Sequence, residues 1–303
     1  KPDMAELVPI ALDNGEKLRV VATTNIVGDV VRNVGSDQID LTVLMGVGVD
    51  PHSYVPNPAD TAAIHDAHVV FASGAGLEAD LEEMLESAGG EAAHIYVSEG
   101  IELRAPPNVV NEEEASHSGE EGETGHAHGV VDPHVWFSVP NVIHWMEGIH
   151  QTLSALDPRN AGTYGENAQA YIQELEDLDV WIEQQVATIP DENRKLVTNH
   201  PSFGYFADCY GLAQVGAVYP LSPSSEPSAQ DIAALQDAIR GFGVPAVFTE
   251  STVNPRLAEQ VAQDTGVKLV SLYTGSLSGP GGDAESYIEL MRYDVNAIVE
   301  ALR

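Results

Sequence analysis

The sequence has little cysteine, few basic residues and no long apolar run, and each shortage excludes a class of protein. Its 303 residues include one cysteine, so an intramolecular disulfide and a zinc site built from four cysteines are both excluded. Lysine and arginine number 13 against 47 aspartates and glutamates, a formal net charge of −34 at pH 7. This balance argues against nucleic-acid binding through a basic surface. Without a stretch of about 18 apolar residues, no transmembrane helix is predicted.

The acidic excess has two interpretations. It draws cations towards the protein by long-range attraction, and it equally suits a solvated surface adapted to salt. The single cysteine, Cys209, falls in an aromatic run and is predicted to be a small buried hydrophobic residue.

Length and patterning predict an α/β protein with two domains. A chain of 303 residues suggests two domains at about 100–200 residues each. Apolar strands alternate with amphipathic helices, a pattern typical of parallel sheets flanked by helices. The predicted parts are a flexible tail over 1–17, an N-terminal lobe over 18–156, a linking helix over 157–190 and a C-terminal lobe over 191–303.

The linking helix is the clearest single element in the pattern. Asp157 is a suitable N-cap and Pro158 suits a first helical turn. A helix of this length would extend roughly 45 Å. Two shorter helices with a break near Gly165 are the alternative.

Three histidines stand in related settings and point to a metal. Asp50-Pro51-His52 and Asp132-Pro133-His134 nearly repeat each other, and His200 follows a predicted strand. His52 also lies in a loop after a strand, where parallel sheets bind their ligands. Neutral imidazole is a preferred ligand of Zn²⁺ and its neighbours, so metal binding is the leading hypothesis.

A ligating imidazole needs a partner for its other ring nitrogen. Asp50 and Asp132 are the candidates in the sequence, unless the intervening prolines direct them elsewhere.

An acidic loop over 111–129 carries three further histidines, His117, His126 and His128. With almost no apolar residue, it is predicted to be disordered. It is interpreted either as an accessory site that captures metal weakly and delivers it, or as a solvated insertion with incidental histidines.

Five motifs occur in a fixed order over nearly the whole chain. They are Val49-Asp50-Pro51-His52-Ser53-Tyr54, Asp132-Pro133-His134-Val135-Trp136, His200-Pro201-Ser202-Phe203-Gly204-Tyr205-Phe206, Val247-Phe248-Thr249-Glu250 and Ser286-Tyr287-Ile288-Glu289-Leu290-Met291-Arg292-Tyr293-Asp294-Val295. In this combination the chain resembles the cluster A-I substrate-binding proteins of ABC importers for divalent transition metals.

The resemblance implies two α/β lobes joined by a rigid backbone helix, with the metal in the cleft between them. It implies that His52, His134 and His200 are ligands. Histidine at position 200, where manganese-type members usually carry glutamate, resembles the zinc-type members, as does the acidic loop.

The chain departs from the family at one place. The family's usual fourth ligand is an aspartate, and Gly275 occupies the matching position. Water is the simplest replacement, Glu250 at a predicted strand end is the best protein candidate, and His126 or His128 is a weaker one.

The resulting expectation is a monomeric, non-enzymatic zinc receptor that delivers Zn²⁺ to a membrane permease. The resemblance places it in the periplasm or on the extracellular face of the membrane, with the leader absent from this chain. One alternative is a manganese or iron receptor of the same family. Another is a zinc hydrolase, because three histidines with an open fourth position can activate a bound water, although no general base is evident near the motifs.

Deletion of residues 111–128 tests the interpretation of the acidic loop. If the loop captures metal weakly, the deletion lowers the number of metal ions bound and slows loading, while the affinity of the main site stays unchanged. Calorimetric titration with zinc and stopped-flow loading would measure these quantities. Unchanged stoichiometry and rate would identify the loop as a solvated insertion.

Overall fold

The computed structural model describes residues 7–79, 81, 84–85, 89–106, 131–219 and 227–303. The described chain divides into two compact units, each assembled from separate segments. Unit 1 draws on Lys1–Glu102, Ser138–Trp181 and Gly275–Arg292. Unit 2 draws on Leu103–Phe137, Ile182–Thr274 and Tyr293–Arg303.

Unit 1 is built on a parallel four-stranded sheet in the order β2-β1-β3-β4. The strands are β1 Leu18–Thr24, β2 Ile39–Met45, β3 Val69–Ala72 and β4 Ala93–Tyr96. The two central strands, β1 and β3, are almost entirely buried. Their continuous apolar runs are what a sheet covered on both faces requires.

Unit 2 repeats this arrangement with a second parallel sheet in the order β6-β5-β7-β8. The strands are β5 Lys195–Thr198, β6 Ala213–Ala217, β7 Ala246–Glu250 and β8 Lys268–Leu272. Because the strands are parallel, residues that follow β5, β7 and β8 collect along one edge of the sheet. This edge is where parallel sheets bind their ligands.

Helices connect the strands in both units. In the described part of the chain they are α1 Asn25–Gly35, α2 Pro58–Asp66, α3 Val139–Leu156, α4 Ala161–Val186, α5 Gly204–Tyr210, α6 Ala229–Phe242, α7 Arg256–Thr265 and α8 Tyr287–Leu302. Side-chain caps fix several of their starts: Thr24 accepts the N–H of Val27, and capping boxes begin α2 and α6. None of the described helices combines the length and the apolar character needed to cross a membrane.

The long helix predicted over 157–190 is observed as α4, with 26 residues. It is unbroken at Gly165, but it extends from Ala161 to Val186 and is therefore shorter at both ends than predicted. Asp157 instead ends α3, and its carboxylate accepts hydrogen bonds from Asn160 and Tyr164.

The predicted fold class is confirmed: two α/β parts, each with a parallel sheet flanked by helices. The observed units differ from the predicted lobes in two segments. Leu103–Phe137, placed by prediction in the N-terminal lobe, belongs to unit 2, where Trp136 donates its indole N–H to the carbonyl of Thr274. Gly275–Arg292 belongs to unit 1, where the N–H of Tyr287 is bound by buried Asp29.

The expectation for Cys209 is wrong. It lies on the outward side of α5, next to Asp208, and is exposed. The apolar face of this short helix is supplied by its aromatic neighbours instead.

Asp294 provides a test of how unit 2 responds to pH. Its side chain is buried; one oxygen accepts the N–H of Tyr273, and the other has no hydrogen-bond partner among the described residues. Burial raises the pKa of this carboxyl well above its usual range, and the charge of Glu250 raises it further. The folded state therefore holds a proton that the unfolded chain releases, so stability falls as pH rises from the unfolded pKa towards the folded one.

Asp294→Asn cannot ionise and keeps an oxygen for Tyr273. We expect its melting temperature to exceed that of the unmodified protein by a margin that grows between pH 5 and pH 8. Scanning calorimetry would measure it, with Asp237→Asn on the exposed side of α6 as control. If the melting temperatures of Asp294→Asn and of the unmodified protein change in parallel with pH, this account is contradicted.

Candidate metal centre

His200 lies at the edge of the unit 2 sheet, just after β5, and is buried. Glu250, the last residue of β7, binds it twice. Its Oε1 lies 2.5 Å from His200 Nδ1 and also accepts the His200 main-chain N–H at 3.1 Å. Its Oε2 accepts the hydroxyl of Thr274 at 2.7 Å. Neighbouring strand ends therefore fix the imidazole by one of its two ring nitrogens.

His134 is fixed in a similar way by its own motif. Asp132 Oδ1 lies 2.8 Å from His134 Nδ1 and accepts the His134 main-chain N–H at 3.0 Å. A 3₁₀ helix, Val135–Phe137, follows immediately and buries three large side chains. Asp132 was predicted as a partner for a ligand imidazole, and it contacts the His134 ring; the ligand role of His134 stays a prediction.

The two imidazoles face each other through their remaining nitrogens. His134 Nε2 and His200 Nε2 are 2.9 Å apart, and the ring centroids are 4.8 Å apart. Since a carboxylate accepts from each Nδ1, the protons belong on Nδ1 and the lone pairs on Nε2. Two lone pairs converging at this distance repel unless a cation or a proton lies between them.

The pair suits a metal ion in charge, and its spacing is slightly shorter than such an ion needs. Burial lowers the pKa of His134, and the hydrogen bond and charge of Asp132 oppose this without reversing it, so the ring favours its neutral, ligating form. Tetrahedral zinc with Zn–N bonds of about 2.0–2.1 Å needs an N–N separation of roughly 3.3 Å. A widening of a few tenths of an ångström would admit it.

Glu250 was predicted as a possible fourth ligand, and its geometry favours another role. Burial would raise the pKa of its carboxyl, but the electrostatic attraction of the His200 ring and the hydrogen bonds from His200 and Thr274 outweigh burial and lower it. The carboxylate is ionised with both oxygens engaged. It orients His200, as outer carboxylates commonly do in metal sites.

His52 lies in unit 1, in the 3₁₀ helix Pro51–Ser53 that follows β2. Asp50 caps this turn by accepting the main-chain N–H of His52 at 3.0 Å and the hydroxyl of Ser53 at 3.1 Å. Asp50 thus positions the backbone of His52, whereas Asp132 contacts both the backbone and the imidazole of His134. The ligand role of His52 stays a prediction.

The three histidines of the acidic loop, His117, His126 and His128, lie outside the described residues. Their predicted part in metal capture stays a prediction.

The loop that carries His52 explains why residue 275 is a glycine. A Cβ at residue 275 would lie 2.7 Å from Pro51 Cδ, closer than such atoms approach. The next residue, Ser276, accepts hydrogen bonds at 2.8 Å from the Gly48 N–H and from Asn25 Nδ2. The loop packs directly on this segment, which leaves no space for a side chain at 275.

The sequence patterns did not identify Thr274, Asn25 or Ser276. Thr274 becomes recognisable only once β7 and β8 are known to be neighbours. Asn25 and Ser276 are separated by 251 residues, so no local pattern connects them.

Substitution of Gly275 tests the close packing of the His52 loop. Gly275→Ala should destabilise the protein by about 1–3 kcal/mol, the usual cost of overpacking, because Pro51 must move. Gly279→Ala is the matched control, since a Cβ there would lie 3.8 Å from Val47, an ordinary contact. Chemical denaturation of both variants would measure the difference, and equal stabilities would show that the loop yields without cost.

Comparison with known proteins places the chain among metal-binding proteins. The manganese-binding lipoprotein MntA of Halalkalibacterium halodurans is 32% identical over 291 residues, which cover 96% of this chain and 90% of the relative. Two solved structures are similar over 95% of the chain. The manganese-bound periplasmic metal-binding protein of Candidatus Liberibacter asiaticus has a TM-score of 0.80 at 27% identity, with all of it covered. The periplasmic zinc-binding protein TroA of Treponema pallidum has a TM-score of 0.81 at 29% identity, with 99% covered.

The profile of one family matches residues 20–301, and its description is ZnuA, zinc-uptake complex component A, periplasmic. This match spans both units and all of the histidine motifs. The chain therefore belongs to the ZnuA family of metal-binding receptors of ABC importers.

Proposed function

We propose that this chain is the zinc receptor of an ABC importer and that it acts without catalysis. The observation that carries the proposal is the convergence of His134 and His200, with their Nε2 atoms 2.9 Å apart. Each ring has its Nδ1 held by a buried carboxylate. Such an arrangement presents two neutral imidazole donors to one ion.

The choice of zinc over manganese rests on the chemistry of the donors. Imidazole suits zinc and its neighbours, whereas manganese favours carboxylate, carbonyl and water oxygens. The nearest buried carboxylates, Asp132 and Glu250, are engaged by the imidazoles, so the site offers few free oxygens. Manganese is the second candidate, favoured by the names of relatives such as MntA.

In this proposal His52 supplies the third imidazole. Water occupies the fourth position, because Gly275 has no side chain and both oxygens of Glu250 are bound. An open position of this kind also occurs in catalytic zinc sites. Asp132 and Glu250 are poorly placed to act as a general base while they hold their imidazoles, and this supports a receptor over the hydrolase.

A receptor of this family delivers its metal to a membrane permease, and we propose the same partner here. The protein would act as a monomer in the periplasm or on the outer face of the cytoplasmic membrane. The family description names a periplasmic component, and several relatives are named lipoproteins.

Competitive titration with zinc and manganese tests the cargo. The metal-free protein should bind zinc tightly and manganese much more weakly. His200→Ala should weaken zinc binding by at least about 100-fold, since loss of an outer partner alone typically costs 10–100-fold. His65→Ala, an exposed position on α2, is the control and should bind as the unmodified protein does.

Circular dichroism and thermal unfolding of both variants would check that each is folded. If manganese binds as tightly as zinc or more tightly, the cargo would be reassigned to manganese. Absence of a tight site for either metal, or unchanged zinc affinity in His200→Ala, would overturn the proposal.

A further inference from the structure

One of the few cations in this acidic chain lies directly behind His134. Arg104 Nη1 is 3.4 Å from Asp132 Oδ2, and its Nε is 2.9 Å from Asp208 Oδ2. The Arg104 side chain is 23% exposed and that of Asp132 is fully buried. Asp132 is therefore shared: one oxygen faces the imidazole and the other faces the guanidinium.

The main chain around Arg104 is tied to Asp132 as well. The Asp132 N–H donates to the Arg104 carbonyl at 2.9 Å. The hydroxyl of Tyr205 accepts the Arg104 N–H at 3.2 Å and donates to the Asp132 carbonyl at 3.1 Å. The guanidinium carbon also lies 5.7 Å from the centre of the Tyr205 ring. These contacts hold the backbone of Arg104 in a fixed position relative to that of Asp132.

Gly204 is an independent observation that the guanidinium has a defined place. A Cβ at residue 204 would lie 1.5 Å from Arg104 Nη1 and 2.5 Å from Asp132 Oδ2. Any side chain at the start of α5 would expel the arginine from the carboxylate. Absence of a side chain at 204 thus creates the space in which the ion pair forms.

The two imidazoles consequently have different supports. Glu250, behind His200, gives its second oxygen to the neutral hydroxyl of Thr274. Asp132, behind His134, gives its second oxygen to a cation. A buried carboxylate that loses a charged partner is left with an uncompensated desolvation cost and loses its fixed orientation.

We propose that Arg104 is a positioning residue for His134 and acts through Asp132. It holds Asp132 Oδ2, so that Oδ1 stays on His134 Nδ1. The imidazole proton then remains on Nδ1 and the lone pair on Nε2 faces His200. The inference rests on the proposed function only where metal affinity is the readout.

The tautomer of His134 tests the inference in the metal-free protein. Long-range ¹H–¹⁵N spectra of histidine-labelled protein should show His134 protonated on Nδ1. Arg104→Met should raise the fraction protonated on Nε2 only, and Arg104→Lys should partly restore the original pattern. His200 should stay protonated on Nδ1 in both variants, since Glu250 and Thr274 support that ring. An unaltered His134 tautomer in folded Arg104→Met would overturn the proposal.

Zinc affinity completes a double-mutant cycle. Arg104→Met should weaken binding about tenfold, the lower end of the range for outer-shell changes. In an Asp132→Ala background the same change should have no further effect, because the carboxylate through which arginine acts is absent. Arg240→Met, whose partner is exposed Asp237, is the control and should leave affinity unchanged.

An equal loss in both backgrounds, or tighter binding in Arg104→Met, would overturn the positioning role. If the unmodified protein binds no metal, the proposed function fails while the tautomer measurement still decides the role of Arg104.

Discussion

The site depends on the pairing of each imidazole with a buried carboxylate. Asp132 and Glu250 determine which ring nitrogen keeps the proton, and they thereby turn the other nitrogen of His134 and His200 towards a common point. The carboxylates are stable in the interior because they are hydrogen-bonded on both oxygens. The two rings and the two buried carboxylates thus form one hydrogen-bonded arrangement, in which each carboxylate fixes the ring that it contacts.

Much of this arrangement could be predicted locally, and the rest could not. Alternating strands and helices predicted two parallel-sheet parts, and the Asp-Pro-His repeat predicted His134 with Asp132 beside it. The partnership of Glu250 with His200 depends on β7 lying next to β5, a pairing across 50 residues. The assignment of His134 to unit 2 likewise follows from distant contacts such as Trp136 with Thr274, which no periodicity records.

Two glycines show how side-chain absence shapes the surroundings of the histidines. Gly275 lets the loop carrying His52 lie against the Ser276 segment, and Gly204 admits the guanidinium of Arg104. In the sequence, neither glycine carries a functional group that would mark it as part of a site. In the folded chain, each glycine leaves a space that a neighbouring group occupies: Pro51 at Gly275 and the guanidinium of Arg104 at Gly204.

The discontinuous composition of the two units bears on the order in which the chain can fold. Unit 1 requires Gly275–Arg292 and unit 2 requires Tyr293–Arg303, so α8 contributes to both. During synthesis, unit 1 cannot complete its core before Gly275–Arg292 has been added, and unit 2 cannot do so before Tyr293–Arg303 has been added. In many proteins an N-terminal domain folds while the rest of the chain is still being made. Unit 1 cannot fold in this order, because part of it comes from Gly275–Arg292. Both units stay incomplete, and accessible to chaperones, until these segments have been made.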